Sequence, residues 1–184
     1  MTTTSVVRLL QALRFAAEKH RHQRRKDADA SPYINHPIAV ASVLAAEAGI
    51  TDEATLLAAL LHDTVEDTET SIAELQQEFG STIAALVSEL TDDKSLPKDV
   101  RKELQVEHAP NASRPAKQLK IADKISNIRD VAATPPTTWS MDRRREYLNW
   151  AERVVAGCRG AHSVLEEVFD RAVRDARMRL GVDA

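Results

Sequence analysis

Apolar residues recur along the chain at intervals of three and four, and no stretch alternates convincingly with period two, so the pattern predicts helices throughout. Val6, Leu9, Leu10, Leu13 and Ala17 form one stripe and predict a first helix to about His20. The polar run RHQRRKDADASPY then reads as a loop. Asn35 is placed to cap a second helix, Pro37 is tolerated in its first turn and Gly49 ends it. Thr51 or Asp52 starts a third helix, which carries the run LLAALLHD. Ser71 and Glu74 form a capping box for a fourth, stopped by Gly80, and Ser81 caps a fifth that runs to about Thr91. DDKSLPKD is a loop, and a helix covers about Val100 to Glu107. After the break HAPNASRP, Pro115 opens a longer helix through KQLKIADKISNIRDVA. Two further helices, over residues 140 to 156 and about Ala161 to Met178, follow the break at TPPTT. The predicted fold class is all-α, a multi-helix single domain.

Composition supports this. The 184 residues suffice for one domain with a sizeable core, whereas two would be cramped. Glycine is scarce at 5 residues and aromatics make up 4%, which disfavours a sandwich or barrel. With 25 basic and 28 acidic residues the net charge is -3, so there is no global attraction to nucleic acid and any anion site must be local. No stripe interleaves basic and aromatic residues, as nucleic-acid binders do. The single Cys158 cannot form an internal disulfide. The N-terminus lacks the pattern of a signal peptide, and no run approaches the roughly 18 apolar residues of a membrane span. These features predict a soluble, cytoplasmic protein with no nucleic-acid or membrane partner. Apolar helix faces are compatible with a homo-oligomer as well as with a monomer.

The chemically suggestive stretch is ALLHDTVEDT, residues 59 to 68. An apolar run that reads as buried ends in His62, Asp63, Glu66 and Asp67. If the helix continues one turn, His62 faces Glu66 and Asp63 faces Asp67. Three carboxylates in about one turn repel each other, and burial adds several kcal/mol or more for an unpartnered charge. A divalent cation or nearby Lys or Arg would resolve this; an exposed acidic helix end is the plain alternative. Among the histidines at 20, 22, 36, 62, 108 and 162, His36 stands at the start of an apolar helix, where an imidazole can point into a cleft. Asp123 lies beside the apolar face of Ile121, Ile125 and Ile128, with a salt bridge to Lys120 or Lys124 as its ordinary explanation. Together His36, His62, Asp63 and Asp123 make two nitrogen and two oxygen ligands, a set suited to Mn, Fe or Zn with room for water.

The order H…HD…D resembles the HD-domain phosphohydrolases. The longer words QRRKDADASPYINHPIAVA, AALLHDTVEDT, FGSTIAALVSELTDDKSL, RKELQVEHA and LKIADKISNIRD closely resemble the hydrolase domain of the RelA/SpoT family. They are most similar to its small stand-alone members, the metazoan SpoT homologue type of alarmone hydrolase. The resemblance covers about residues 5 to 178 of a single domain spanning 1 to 184, with no departure at the key positions. It leaves no room for the synthetase domain of the long bifunctional enzymes.

The resemblance implies a manganese ion on His36, His62, Asp63 and Asp123, with Fe or Zn as alternatives. It implies that Glu66 and Asp67 hold and deprotonate the attacking water. The implied substrate is ppGpp or pppGpp, and the implied reaction is hydrolysis of the 3′-diphosphate to pyrophosphate and GDP or GTP. Arg24, Arg25, Lys26, Lys98, Asn127, Arg143 and Tyr147 are the implied substrate contacts. Arg144, Arg145 and Lys102 are expected at the surface, and Trp139 and Trp150 in packing roles. The same resemblance carries an alternative activity, removal of the 2′-phosphate of NADPH. A non-catalytic nucleotide-binding module is disfavoured, because all four ligands and the Glu66–Asp67 pair are present.

Overall fold

A computed structural model describes residues 3–181, so residues 1, 2 and 182–184 of the expected domain lie outside the described residues. The architecture is all-α. The helices are α1 Thr3–Lys19, α2 Asn35–Ser42, α3 Glu53–Leu61, α4 Thr64–Asp67, α5 Ile72–Phe79, α6 Ser81–Leu90, α7 Lys98–His108, α8 Arg114–Ala133, α9 Met141–Ala156 and α10 Ser163–Arg179. Among the described residues there is no strand, only one isolated bridge between Arg24 and Pro32. No helix there is long and apolar enough to cross a membrane.

Side-chain caps set several starts. Asp52, Ser71, Ser113 and Ser140 accept from the backbone amides of Thr55, Glu74, Ala116 and Arg143. Others differ from expectation. Asn35 is the first helical residue of α2 rather than its cap, and Ile34 precedes it without a side-chain bond. α2 runs into a π-helical turn, Val43–Glu47, before Gly49. Gly80, at φ 95°, ends α5 and begins α6 at once, so Ser81 is helical rather than capping. α7 starts at Lys98, directly after Pro97.

α8 is the central pillar. Ile121, Ala122, Ile125 and Ile128 are fully buried on it, and α2, α3, α6, α9 and α10 pack around it. α3 is buried from Thr55 to Leu61. The α1 stripe is rotated from the expected one. Ala12 and Ala16 are fully buried with Leu9 and Leu13 against the core, whereas Val6 and Leu10 are exposed. Alanines let α1 approach α3 closely, which a reading weighted to large residues misses.

The helix carrying His62 does not continue as expected. α3 ends at Leu61 and a turn through His62 and Asp63 precedes α4. The His62 Nδ1–H donates to the Ala59 carbonyl at 2.8 Å, and the Thr64 hydroxyl donates to the Leu61 carbonyl at 2.7 Å. Side chains thereby take two of the carbonyls that the next helical turn would have used. The turn brings His62 and Asp63 to one point facing α8.

Candidate active site

His36 from the first turn of α2, His62 after α3, and Asp123 from the middle of α8 place ligand atoms within 4.8 Å of one another. His36 Nε2 is 3.1 Å from Asp123 Oδ1. Asp63 stands beside this triad, its Oδ2 at 3.2 Å from His62 Nε2 and 3.7 Å from His36 Nε2. Three of the four expected ligands therefore meet at one point, and Asp63 stands at its edge. Because His62 Nδ1–H is committed to a backbone carbonyl, Nε2 is the atom turned to the cluster. That buried Nε2 has no hydrogen bond of adequate geometry despite the nearby Asp63. An orphaned buried nitrogen among carboxylates, with a second imidazole opposite, fits a divalent cation.

Electrostatics agree. Burial alone would pull the His62 imidazole down, but the charges of Asp63, whose Oδ2 is 3.2 Å away, and of Asp123 outweigh it and raise its pKa to about 9. Burial pushes the Asp63 and Asp123 carboxyls up, yet His62 and His36 around Asp63, and Lys124 and His36 around Asp123, hold both well below the ordinary range. Without a metal, a proton on the His62 imidazole stands in for its charge.

Each carboxylate has its own support. The Tyr33 hydroxyl donates to Asp63 Oδ2 at 2.7 Å. Asn127 Nδ2 donates to Asp123 Oδ1 at 2.7 Å, and Lys124 Nζ to Asp123 Oδ2 at 2.7 Å. The salt bridge of Asp123 with Lys124 thus exists alongside the His36 contact. Glu66 Oε2 accepts from the Asp92 amide at 3.2 Å, and its Oε1 is 3.6 Å from Arg101. Burial first, and then Asp92, Asp63 and Asp67, raise the Glu66 carboxyl above its ordinary pKa despite that amide bond. Asp67 pairs with Lys94 from the loop after α6.

These residues line a cavity of about 190 Å³, flanked by two larger clefts. One, of about 560 Å³, contains Lys98, Arg101, Lys102 and Arg143, and the other, of about 540 Å³, contains Arg24, Arg25 and Lys26. Asn127, Tyr147 and Trp139 border both. The predicted substrate residues therefore come together in two groups. Arg25 reaches inward to Asn127 Oδ1 at 3.1 Å and Asp130 at 2.5 Å, while Arg24 is exposed and bonded to backbone carbonyls of Arg21 and Gln23. Burial and then the charges of Arg143, Lys102 and Lys26 lower the Lys98 pKa, the mark of crowded cations.

Lys102 corrects the expectation of a surface residue: it borders the larger cleft with its ammonium 4.8 Å from the Trp150 ring centre. Trp150 packs against the core as expected, and its indole N–H donates to the Lys102 carbonyl at 3.0 Å. Trp139 instead borders both clefts, with the Arg143 guanidinium 4.8 Å over its ring. Arg145 is an ordinary surface pair with Asp142 at 3.3 Å. Of the other histidines, His20 is buried against Tyr33, 4.8 Å between rings, and His162 caps α10. Tyr33, Arg101 and Asp92 are not singled out by the sequence, and Lys124 is expected there only as a salt-bridge partner of Asp123. Tyr33 alone had a signal, its place three residues before His36.

Residues 12–150 match the HD domain family. The chain is 53% identical over 167 residues to guanosine-3′,5′-bis(diphosphate) 3′-pyrophosphohydrolase MESH1 of Xenopus tropicalis, covering 91% of this chain and 93% of that one. It is 54% identical over 166 residues to the Homo sapiens protein of the same name, covering 90% and 93%. A solved structure of a metazoan ortholog of SpoT, described as hydrolysing ppGpp and playing a role in starvation responses, superposes with a TM-score of 0.88. It is 48% identical and the match covers 91% of this chain and 94% of that chain. The triad, the HD turn and this near full-length similarity place the chain in the HD-domain family, in its MESH1 branch.

Proposed function

We propose that the protein hydrolyses the 3′-diphosphate of ppGpp and pppGpp, releasing pyrophosphate and GDP or GTP, with manganese as its metal. The observation that carries this reading is the joining of one small donor-lined cavity to two basic clefts. A substrate with phosphate groups at both ends of a nucleoside needs cations on both sides of the reacting phosphorus. A cavity for one 5′-monophosphate needs only one such cleft.

His36, His62, Asp63 and Asp123 would hold the metal. A divalent ion held there supplies Lewis acidity at a phosphoryl oxygen and lowers the pKa of a water bound to it. Glu66 stands on the cavity wall and its raised pKa suits a base that must take up a proton. The water oxygen bonds to the proximal phosphorus, Glu66 takes a proton from that water, the bond from phosphorus to O3′ breaks, and O3′ is protonated on release. Asp67, held by Lys94, orients the water. Arg25 and Asn127 border the junction of cavity and clefts, Tyr147 borders both clefts, and Arg24, Lys26, Lys98 and Arg143 offset the outlying phosphates.

Product analysis tests this. ppGpp incubated with manganese-loaded protein is expected to give GDP and pyrophosphate in equal amounts on ion-exchange chromatography. Orthophosphate as the product, or turnover of NADPH to NADH and phosphate with ppGpp untouched, would overturn the reading.

A further inference from the structure

Lys124 is an unusual residue to find where it is. Its side chain is buried, at 5% exposure for the residue as a whole, one position after Asp123 on α8. It borders both the 190 Å³ cavity and the 560 Å³ cleft. An ammonium has three donors. One goes to Asp123 Oδ2 at 2.7 Å. On another side the ammonium lies 4.6 Å from the Trp150 ring centre, a cation–π contact that supports the charge without using it up. Lys120, one turn earlier on α8, borders the same cavity. Burial and the Lys124 charge both lower its pKa. Two like charges stand one turn apart here, offset by Asp123 and, for Lys120, also by Asp92, and Lys124 uses one of its three donors on Asp123.

We propose that Lys124 binds substrate directly, donating to the 3′-phosphate chain where it passes from the metal cavity into the basic cleft. Asp123 and the Trp150 face pre-position its ammonium, so the residue meets the phosphate with little loss of side-chain freedom. This inference rests on the phosphohydrolase reading above and adds a contact that the sequence did not reveal.

Equilibrium binding tests it without relying on turnover. In a Glu66→Gln background loaded with metal, the affinities for ppGpp and for GDP are compared by calorimetry with and without Lys124→Met. GDP lacks the 3′-phosphates, so it controls for a merely structural role. Lys124→Met is expected to weaken ppGpp binding by about tenfold or more, the scale of one charge-assisted hydrogen bond. GDP affinity and metal content should stay within about twofold. Equal losses for both ligands, or no loss for ppGpp, would overturn the assignment of Lys124 alone. A Glu66→Gln protein that binds GDP but gains nothing from the 3′-phosphates would overturn the substrate reading with it. A second readout leaves Lys124 in place. The chain has 2 tryptophans, so Trp139→Phe isolates Trp150 emission. ppGpp, and not GDP, should change that emission as the Lys124 ammonium engages phosphate, and should still do so in Lys102→Met, which removes the other ammonium near the ring; identical responses to the two ligands, or a difference lost in Lys102→Met, would contradict the contact.

Discussion

Replacing Glu66 with Gln isolates the base from everything around it. Glu66 lies outside the His36–His62–Asp123 cluster, so metal binding should not change. The glutamine carbonyl can still accept from the Asp92 amide, which Glu66 Oε2 meets at 3.2 Å. Burial and the neighbouring carboxylates disfavour the charge of Glu66, so removing it should leave the melting temperature equal or slightly higher. What disappears is proton uptake from the attacking water. Loss of a general base slows turnover by about 10²–10⁴-fold, and 100-fold corresponds to roughly 2.7 kcal/mol of barrier. The assay is pyrophosphate release at saturating metal and ppGpp, with metal content measured on the same sample. The raised pKa also predicts that the acid limb of the wild-type kcat profile lies above the range of a free glutamate, and that Glu66→Gln lacks it. A kcat within about threefold of wild type, or an unchanged acid limb, would remove Glu66 from the mechanism.

Four further outcomes are expected. Asp63→Ala should abolish metal retention and turnover, and normal activity in a metal-depleted preparation of it would contradict the ligand set. Arg143→Ala removes a cation from the larger cleft and should raise the KM for ppGpp by about tenfold, or roughly 1.4 kcal/mol. Gly157→Ala would put a Cβ 2.8 Å from the Ala109 Cβ and 2.9 Å from the Pro110 Cδ. Overpacking there should cost about 1–3 kcal/mol, seen as a melting temperature lower by several degrees. In the metal-free protein His62 has a folded pKa of about 9, above its unfolded value near 6.5. The folded state then binds the extra proton between those values, so this contribution is full below about pH 6.5 and is lost as pH rises through about 9. Urea unfolding should show stability falling across that window, and falling less steeply in His62→Gln.

Much of this was legible in the chain. Asp52 and Ser71 mark helix starts because a short polar side chain has one geometry in which to meet a free amide. The end of α3 was not legible, because it depends on His62 and Thr64 turning back onto carbonyls. Pattern alone continues the helix through them. Likewise the α1 face is set by Ala12 and Ala16, whose small size lets helices close together and carries little hydrophobic signal. At the site, residue types named the ligands, but their convergence depends on α2, α3 and α8 crossing at one point. The roles of Tyr33 and Arg101 come from contacts across 30 and 35 positions of sequence, and nothing in local spacing separates them from ordinary polar residues. The split of the basic residues into two clefts is tertiary in origin too, since α7 and α9 bring Lys98 and Arg143 together while the loop after α1 carries Arg24, Arg25 and Lys26.

The most direct measurement is a titration of manganese into metal-stripped protein while pyrophosphate release from ppGpp is followed. The account predicts negligible turnover in chelator, activity rising in proportion to bound metal, and a plateau at about one ion per chain. Full activity in the stripped protein, or bound metal that leaves ppGpp intact, would contradict it.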